Sequence, residues 1–178
     1  MISNKAKALS SPEHIQKCMK EGKHAEDLFA MATGLSIEHG ANNYNHVDFM
    51  LDGQYGIYGG VDVKSNKASY KKGFILVEMI SVNGKAGWAS KNSYADFIAF
   101  QVDTGFFIVP KNLLREATIK LCEPFDLTKV KRANKLSAED HLYKWIGRKD
   151  RKDVFTYIKK EDLKPYIQDI IYIELWTT

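Results

Sequence analysis

The feature that most restricts this chain is a run of alternating apolar residues interrupted by glycine: His46-Val47-Asp48-Phe49-Met50-Leu51-Asp52-Gly53-Gln54-Tyr55-Gly56-Ile57-Tyr58-Gly59-Gly60-Val61-Asp62-Val63-Lys64. Successive side chains of a strand point to opposite faces. Val47, Phe49 and Leu51 therefore share one face, and Asp48, Met50 and Asp52 the other. Asp52-Gly53 and Gly56 supply turn chemistry. Beyond the turn, Val61 and Val63 alternate with Asp62 and Lys64. The spacing predicts a β-hairpin that reverses about Tyr55.

Folded there, Asp48 stands opposite Asp62. Opposed side chains sit roughly 4.5–5.5 Å apart at Cβ, and like charges so placed destabilise the pair. A hard divalent cation shared by two carboxylates removes that cost. Lys64 projects from the same face, where an ammonium can hold a phosphate oxygen or help a water lose its proton. The same residues also suit a plain surface arrangement, with Lys64 as an exposed counter-ion worth almost nothing.

The 178 residues favour one domain with a sizeable core. No apolar run approaches the length of a membrane span, so no membrane partner is expected. The N-terminus, Met1-Ile2-Ser3-Asn4-Lys5, lacks the apolar centre of a signal peptide. Cys18 and Cys122 lie far apart and fit no metal spacing. They read as reduced thiols of a cytoplasmic protein.

The net charge of +4 is unevenly spread. Residues 1–110 hold equal numbers of acidic and basic side chains. Residues 129–152 carry Lys129, Lys131, Arg132, Lys135, Lys144, Arg148, Lys149, Arg151 and Lys152 against only Glu139, Asp140 and Asp150. Lys64, Lys67, Lys71 and Lys72 form a second run with no acid between them. Such clusters suit a polyanion, and equally a solvated loop face.

Ser10-Ser11-Pro12-Glu13 is a helix start, and Gly34 can end that helix. Its inward stripe is Ile15, Cys18, Met19, Gly22, Phe29 and Ala32, and Glu26 falls on it. A carboxylate facing a core needs a partner, either a metal site or a core-edge lysine. Phe74 to Val82 is nearly continuous apolar sequence and reads as a central strand covered on both faces. As third strand of the hairpin's sheet it would place Glu78 beside Asp62 and Lys64, as a site member or as a buried ion pair with Lys64. Ala95–Val102 and Phe106–Val109 are further strands, and a short helix opens at Asn112. Ser137–Asp140 resembles a helix cap leading into residues 142–146, and Gly147–Asp153 a basic turn. Phe155–Ile158 and Ile170–Trp176 complete the strands, with a helical turn over Lys160–Ile167 between them. The pattern is α/β (α+β), a central mixed sheet flanked by helices.

The order helix with Glu26, strand with Asp48, hairpin, Asp62-Val63-Lys64, apolar strand with Glu78 resembles the PD-(D/E)XK nuclease-like superfamily. The downstream Gly87-Trp88 and Ala95-Asp96-Phe97-Ile98-Ala99-Phe100 look like the strand after the site in restriction-endonuclease-like and phage-borne members. Val47 stands where those proteins commonly have proline, and Asp62 where glutamate is commoner. The resemblance covers roughly residues 10–118, leaving a basic extension over 119–178 of the same domain. It implies a restriction-endonuclease-like core and a metal-dependent deoxyribonuclease, with endonuclease action the expectation. Asp48, Asp62 and the Val63 carbonyl would hold Mg²⁺, with Mn²⁺ as a substitute. Lys64 would act on the attacking water, and Glu26 and Glu78 would support the site. Lys67, Lys71, Lys72, Arg148, Lys149, Arg151 and Lys152 would grip DNA phosphates. A two-fold homodimer would suit double-strand cleavage. The alternative is a catalytically inactive module of the same fold that binds DNA or protein.

Overall fold

The computed structural model describes residues 12–35, 46–65, 72–139, 142–168 and 170–175. Lys67 and Lys71 lie outside the described residues.

Helix α1 (Pro12–Thr33) opens on proline, whose missing N–H costs nothing in the first turn. It closes at Gly34, which adopts φ 70° and donates its N–H to the Ala30 carbonyl at 2.8 Å. Ala25 and Phe29 are fully buried, but Cys18 and Met19 are exposed. Of the expected inward stripe, Phe29 is therefore buried while Cys18 and Met19 are not, and the Ile15 side chain lies outside the described residues. Cys18, Glu21 and Gly22 line a cavity instead of packing on strands.

Strand β1 (Phe49–Asp52) and strand β2 (Tyr58–Lys64) form the expected hairpin, joined by a 3₁₀ turn at Gln54–Gly56. Phe49 pairs with Val61 and Asp52 with Tyr58, so the reversal centres on Tyr55. Gly53, Tyr55 and Gly56 all take positive φ in that turn. β2 then runs parallel to β4 (Phe97–Val102), which pairs antiparallel with β5 (Gly105–Pro110). β9 (Ile171–Glu174) closes the far edge, giving the order β1-β2-β4-β5-β9. Gly59, at φ 136°, permits the β2–β4 approach, because a Cβ there would run into the Asp96 carboxylate. That carboxylate accepts the Gly60 N–H at 2.9 Å.

A second mixed sheet has the order β3-β8-β7-β6, from β3 (Phe74–Ile80), β8 (Val154–Lys159), β7 (Ile146–Arg148) and β6 (Lys131–Ala133). This corrects the sequence reading of Phe74–Val82. The strand is not third in the hairpin's sheet; it is an edge strand of a separate one, antiparallel to β8. Its apolar run misled because Phe74, Ile75 and Val77 are buried while Leu76 and Glu78, on the face opposite Ile75 and Val77, line a cavity instead of a second layer.

The two sheets and α1 stack in layers. Phe29 packs against Phe49 and Phe106, with ring centroids 4.9 and 5.0 Å apart, between α1 and one face of the five-stranded sheet. The other face meets the second sheet and helix α2 (Lys111–Leu121) through Ile98, Phe100, Phe107, Ile75, Ile158 and Leu114. Cover on both faces explains why β4 and β5 are almost wholly apolar. The chain is thus α+β, with mixed sheets flanked by helices.

Residues 142–145 do not form the helix that Ser137–Asp140 suggested. Tyr143 takes φ 59°, which interrupts any right-handed helix. Leu142 bridges Tyr157, and the Trp145 indole N–H donates to the Glu123 carbonyl at 2.9 Å, so the segment is tied down as a turn rather than a helix. Gly147 and Arg148 belong to β7 rather than to a turn. A short helix α3 (Lys160–Leu163) follows β8. No helix among the described residues is long and apolar enough to cross a membrane.

Candidate active site

Val61 and Val63 enter the core beneath α1, so Asp62 between them faces the other way. Asp62 is 1% exposed. Its Oδ1 receives the Lys64 ammonium at 2.6 Å. Its Oδ2 is buried and has no hydrogen-bond partner among the described residues. The Lys64 ammonium also lies 5.8 Å from the centre of the Trp88 ring, a cation–π distance.

Asp48 continues the hairpin one step beyond β1. Its N–H donates to the Val61 carbonyl at 2.8 Å, and its Oδ2 accepts the Val63 N–H at 2.7 Å. Asp48 and Asp62 are thereby held across the hairpin as the alternation requires. Glu26 reaches in from α1. Glu26, His46, Asp48, Asp62, Val63 and Lys64 together line an open cavity of about 330 Å³.

The electrostatics follow from crowding acids in a half-dry cleft. Burial pushes Asp62 up to about 7 against the opposing pull of Lys64, and Asp48 adds to the rise. Desolvation therefore outweighs a short ion pair. Glu26 is also raised, by burial first and by Asp48 second. His46 is lowered, by burial and then by the Lys64 charge. Its Nδ1 lies 3.9 Å from Asp62 Oδ2, too far for a hydrogen bond, and its imidazole is neutral at pH 7.

His46 was missed in the sequence reading. Alternation from Asp48 would have put it on the acidic face, but a residue just outside a strand carries no such signal. In the structure it turns at φ 51°, so simple alternation does not reach it. Lys111, at the start of α2, was missed too. Its ammonium donates to the Ser93 carbonyl and to Ser93 Oγ, and its charge bears on Asp96 and Asp62.

Asp62 Oδ2 decides whether a divalent cation fits. A buried carboxylate oxygen without a donor is costly, and a second carboxylate beside it makes the cost worse. A hard cation would satisfy both. Among the described residues no three His, Cys, Asp or Glu side chains converge into a preformed metal cage. The donors on offer are Asp48, Asp62 and the backbone at Val63. That sparse oxygen set fits Mg²⁺, which binds through one or two carboxylates and keeps much of its water.

Glu78 does not join this group. It lies in the second sheet and lines a separate cavity with Arg148, Phe155 and Tyr157. Burial pushes it up to about 7, and Lys64 is the cation that opposes the rise most. Lys64 thus acts electrostatically on both cavities. Among the basic residues, Arg148 is pinned to the fully buried Asp153, with Nε 2.5 Å from Oδ2. Lys72 is exposed and pairs with Glu139 at 2.7 Å. Lys149 and Lys152 are exposed, and Arg151 is half-buried. Comparison with protein-family models, with curated proteins and with solved structures finds no match.

Proposed function

We propose that this chain is a Mg²⁺-dependent deoxyribonuclease, accepting Mn²⁺, that hydrolyses phosphodiester bonds at the Asp48–Asp62–Lys64 cavity. The observation that carries the reading is the buried Oδ2 of Asp62, which has no hydrogen-bond partner among the described residues. Asp62 lines the open cavity beside the Asp48 carboxylate, and its other oxygen receives the Lys64 ammonium. The spacing of Glu26, Asp48 and Asp62-Val63-Lys64 adds to it.

Asp48 and Asp62 would hold the cation, which would supply positive charge where the scissile phosphate gains negative charge. Lys64 has three N–H donors, and Asp62 Oδ1 uses one. The others would hold a phosphate oxygen and position the attacking water. Glu26, whose proton affinity is raised by burial and then by Asp48, lines the same cavity, where it would exchange a proton with that water. Neutral His46 adds no charge against the substrate. The basic side chains between Lys129 and Lys152 contribute sequence-independent attraction to the DNA backbone.

A second reading, a binding module that does not cut, has one observation in its favour: the closed Asp62–Lys64 ion pair, with no three-ligand metal cage among the described residues. Incubation of plasmid and single-stranded DNA with the wild type and with Asp62→Asn, under Mg²⁺, Mn²⁺ or chelator, separates the two. The nuclease reading expects cleavage by the wild type with either metal and by nothing else. Intact DNA throughout, bound equally by both proteins, would establish the binding module.

A further inference from the structure

The second cavity, about 260 Å³, is built by strand pairing. In the β3–β8 ladder Leu76 stands opposite Tyr157 and Glu78 opposite Phe155, so these four side chains share one face. The intervening Ile75, Val77, Thr156 and Ile158 are buried on the other face. The Phe155 and Tyr157 rings meet edge to face, with centroids 5.6 Å apart and planes at 84°. The Arg148 guanidinium lies 5.9 Å from the Phe155 ring and is fixed there by Asp153. Asn134 and Lys135 form the remaining polar wall. Among the described residues, no hydrogen bond or ion pair is made to the Glu78 carboxyl.

The cavity is coupled to the acidic cleft. Trp88, under the Lys64 ammonium, follows a loop that folds back on β3. Gly87 donates its N–H to the Met79 carbonyl at 3.0 Å, and Ala89 to the Glu78 carbonyl at 3.1 Å.

Four ligand classes can be weighed against these walls. A bare phosphate would meet the Glu78 carboxyl. A simple amine would meet Arg148 and Lys135. A sugar would set hydroxyls against two aromatic rings. A flat heterocycle offers apolar faces to Phe155 and Tyr157, and an edge of mixed donors and acceptors to Glu78, Arg148 and Asn134. Enzymes that extrude a base hold it in this way, between apolar or aromatic walls with hydrogen bonds to its pairing edge.

We propose that this cavity receives one nucleobase of the strand whose phosphates pass Lys64, turned out of its stack and read along its edge by Glu78. The proposal rests on the nucleic-acid reading of the acidic cleft and adds a substrate class to it: single-stranded DNA, or a duplex with an unpaired nucleotide. Extruding a base costs least where it is already unpaired. Because its carboxyl stands near 7, Glu78 offers both a donor and an acceptor at neutral pH.

The test measures binding of single-stranded 12-nucleotide homopolymers of each of the four bases, and of an abasic chain of equal charge, in chelator so that cleavage plays no part. The wild type is expected to bind at least one base-bearing strand about tenfold tighter than the abasic chain, in line with base–aromatic stacking and edge recognition. Glu78→Leu should erase that difference. Glu78→Gln, which keeps a donor and an acceptor, should retain it. Asn134→Ala, in an exposed segment, gives the same readout without disturbing the sheet and should weaken the preference. Equal binding of abasic and base-bearing strands, or a preference unchanged in Glu78→Leu and Asn134→Ala, overturns the proposal. The outcomes separate from those of the nuclease reading: a base preference without cleavage sinks the nuclease, and cleavage without a base preference sinks the pocket.

Discussion

Asp62 and Glu78 are both acids that burial holds up at about 7, and in both the charge of Lys64 opposes the rise. Their company differs. Asp62 has an ion pair on one oxygen, only the neutral His46 at 3.9 Å near the other among the described residues, and a second carboxylate across the hairpin. Glu78 has aromatic rings and a pinned guanidinium for neighbours, and the acids about it, Asp153 above all, are already engaged. A shared proton affinity therefore implies no shared role. An orphaned oxygen among acids calls for a cation. A carboxyl among rings and donors calls for a neutral, hydrogen-bonding ligand.

The largest effect that would break this comparison is on turnover. Asp62→Asn should abolish DNA cleavage while leaving DNA affinity intact, and Glu78→Gln should leave cleavage of a mixed-sequence strand nearly unchanged. Equal losses in gel assays of the two variants would merge the two sites into one. Next in size, Lys64→Ala should lower the cleavage rate by roughly 10²–10⁴-fold, the range for a group that handles a proton in the transition state. Its effect on Mg²⁺ affinity should be small. A folded Lys64→Ala protein that cuts normally would reduce Lys64 to a counter-ion.

Thermal unfolding against pH gives a smaller and more selective difference. Asp62 is raised from 3.8 to about 7 in the folded chain, so between those values the folded state holds more protons than the unfolded one. Stability then falls as pH rises through that window, and the penalty is fully present above about 7. Asp62→Asn removes it and should stabilise the protein at pH 8 without divalent metal by roughly 1–3 kcal/mol, a Tm rise of several degrees. Mg²⁺ should raise the wild-type Tm at pH 8 and that of Glu78→Gln, but not that of Asp62→Asn. The same Mg²⁺ response in Asp62→Asn would place the ion elsewhere.

The smallest expected effect concerns the basic region. Replacing Arg148 and Lys149 together with alanine should flatten the plot of log affinity against log salt by about 0.9 for each duplex phosphate that the protein no longer neutralises. Because Arg148 is fixed by Asp153 at the wall of the second cavity, Lys149→Ala alone should account for most of the change in slope. An unchanged slope in the double variant would put the phosphates on another surface.

The hairpin was legible in the sequence because its information is local. Alternation sets the faces, the glycines set the turn, and together they fix a register in which Asp48 and Asp62 face each other. Glu26 was legible as a misfit on an apolar helix stripe. Glu78 was legible as a misfit too, but its location was not. A run such as Phe74–Ile80 states that a strand is largely apolar and is silent on which strand will pair with it. Its true partner, β8, lies about eighty residues on. The false helix at residues 142–146 failed for a related reason, since Trp145 and Leu142 are held by Glu123 and Tyr157. His46 stands just outside the strand whose alternation would have revealed it.

The most direct test of the central claim is metal binding itself: Mn²⁺ titrated into wild type and Asp62→Asn at pH 8, followed by calorimetry and by the electron spin resonance of the free ion. One Mn²⁺ bound by the wild type, displaced by Mg²⁺ and lost in Asp62→Asn, is the predicted result. Equal binding by both proteins, or none by the wild type with or without DNA, would contradict it and leave Asp48 and Asp62 as a structural pair.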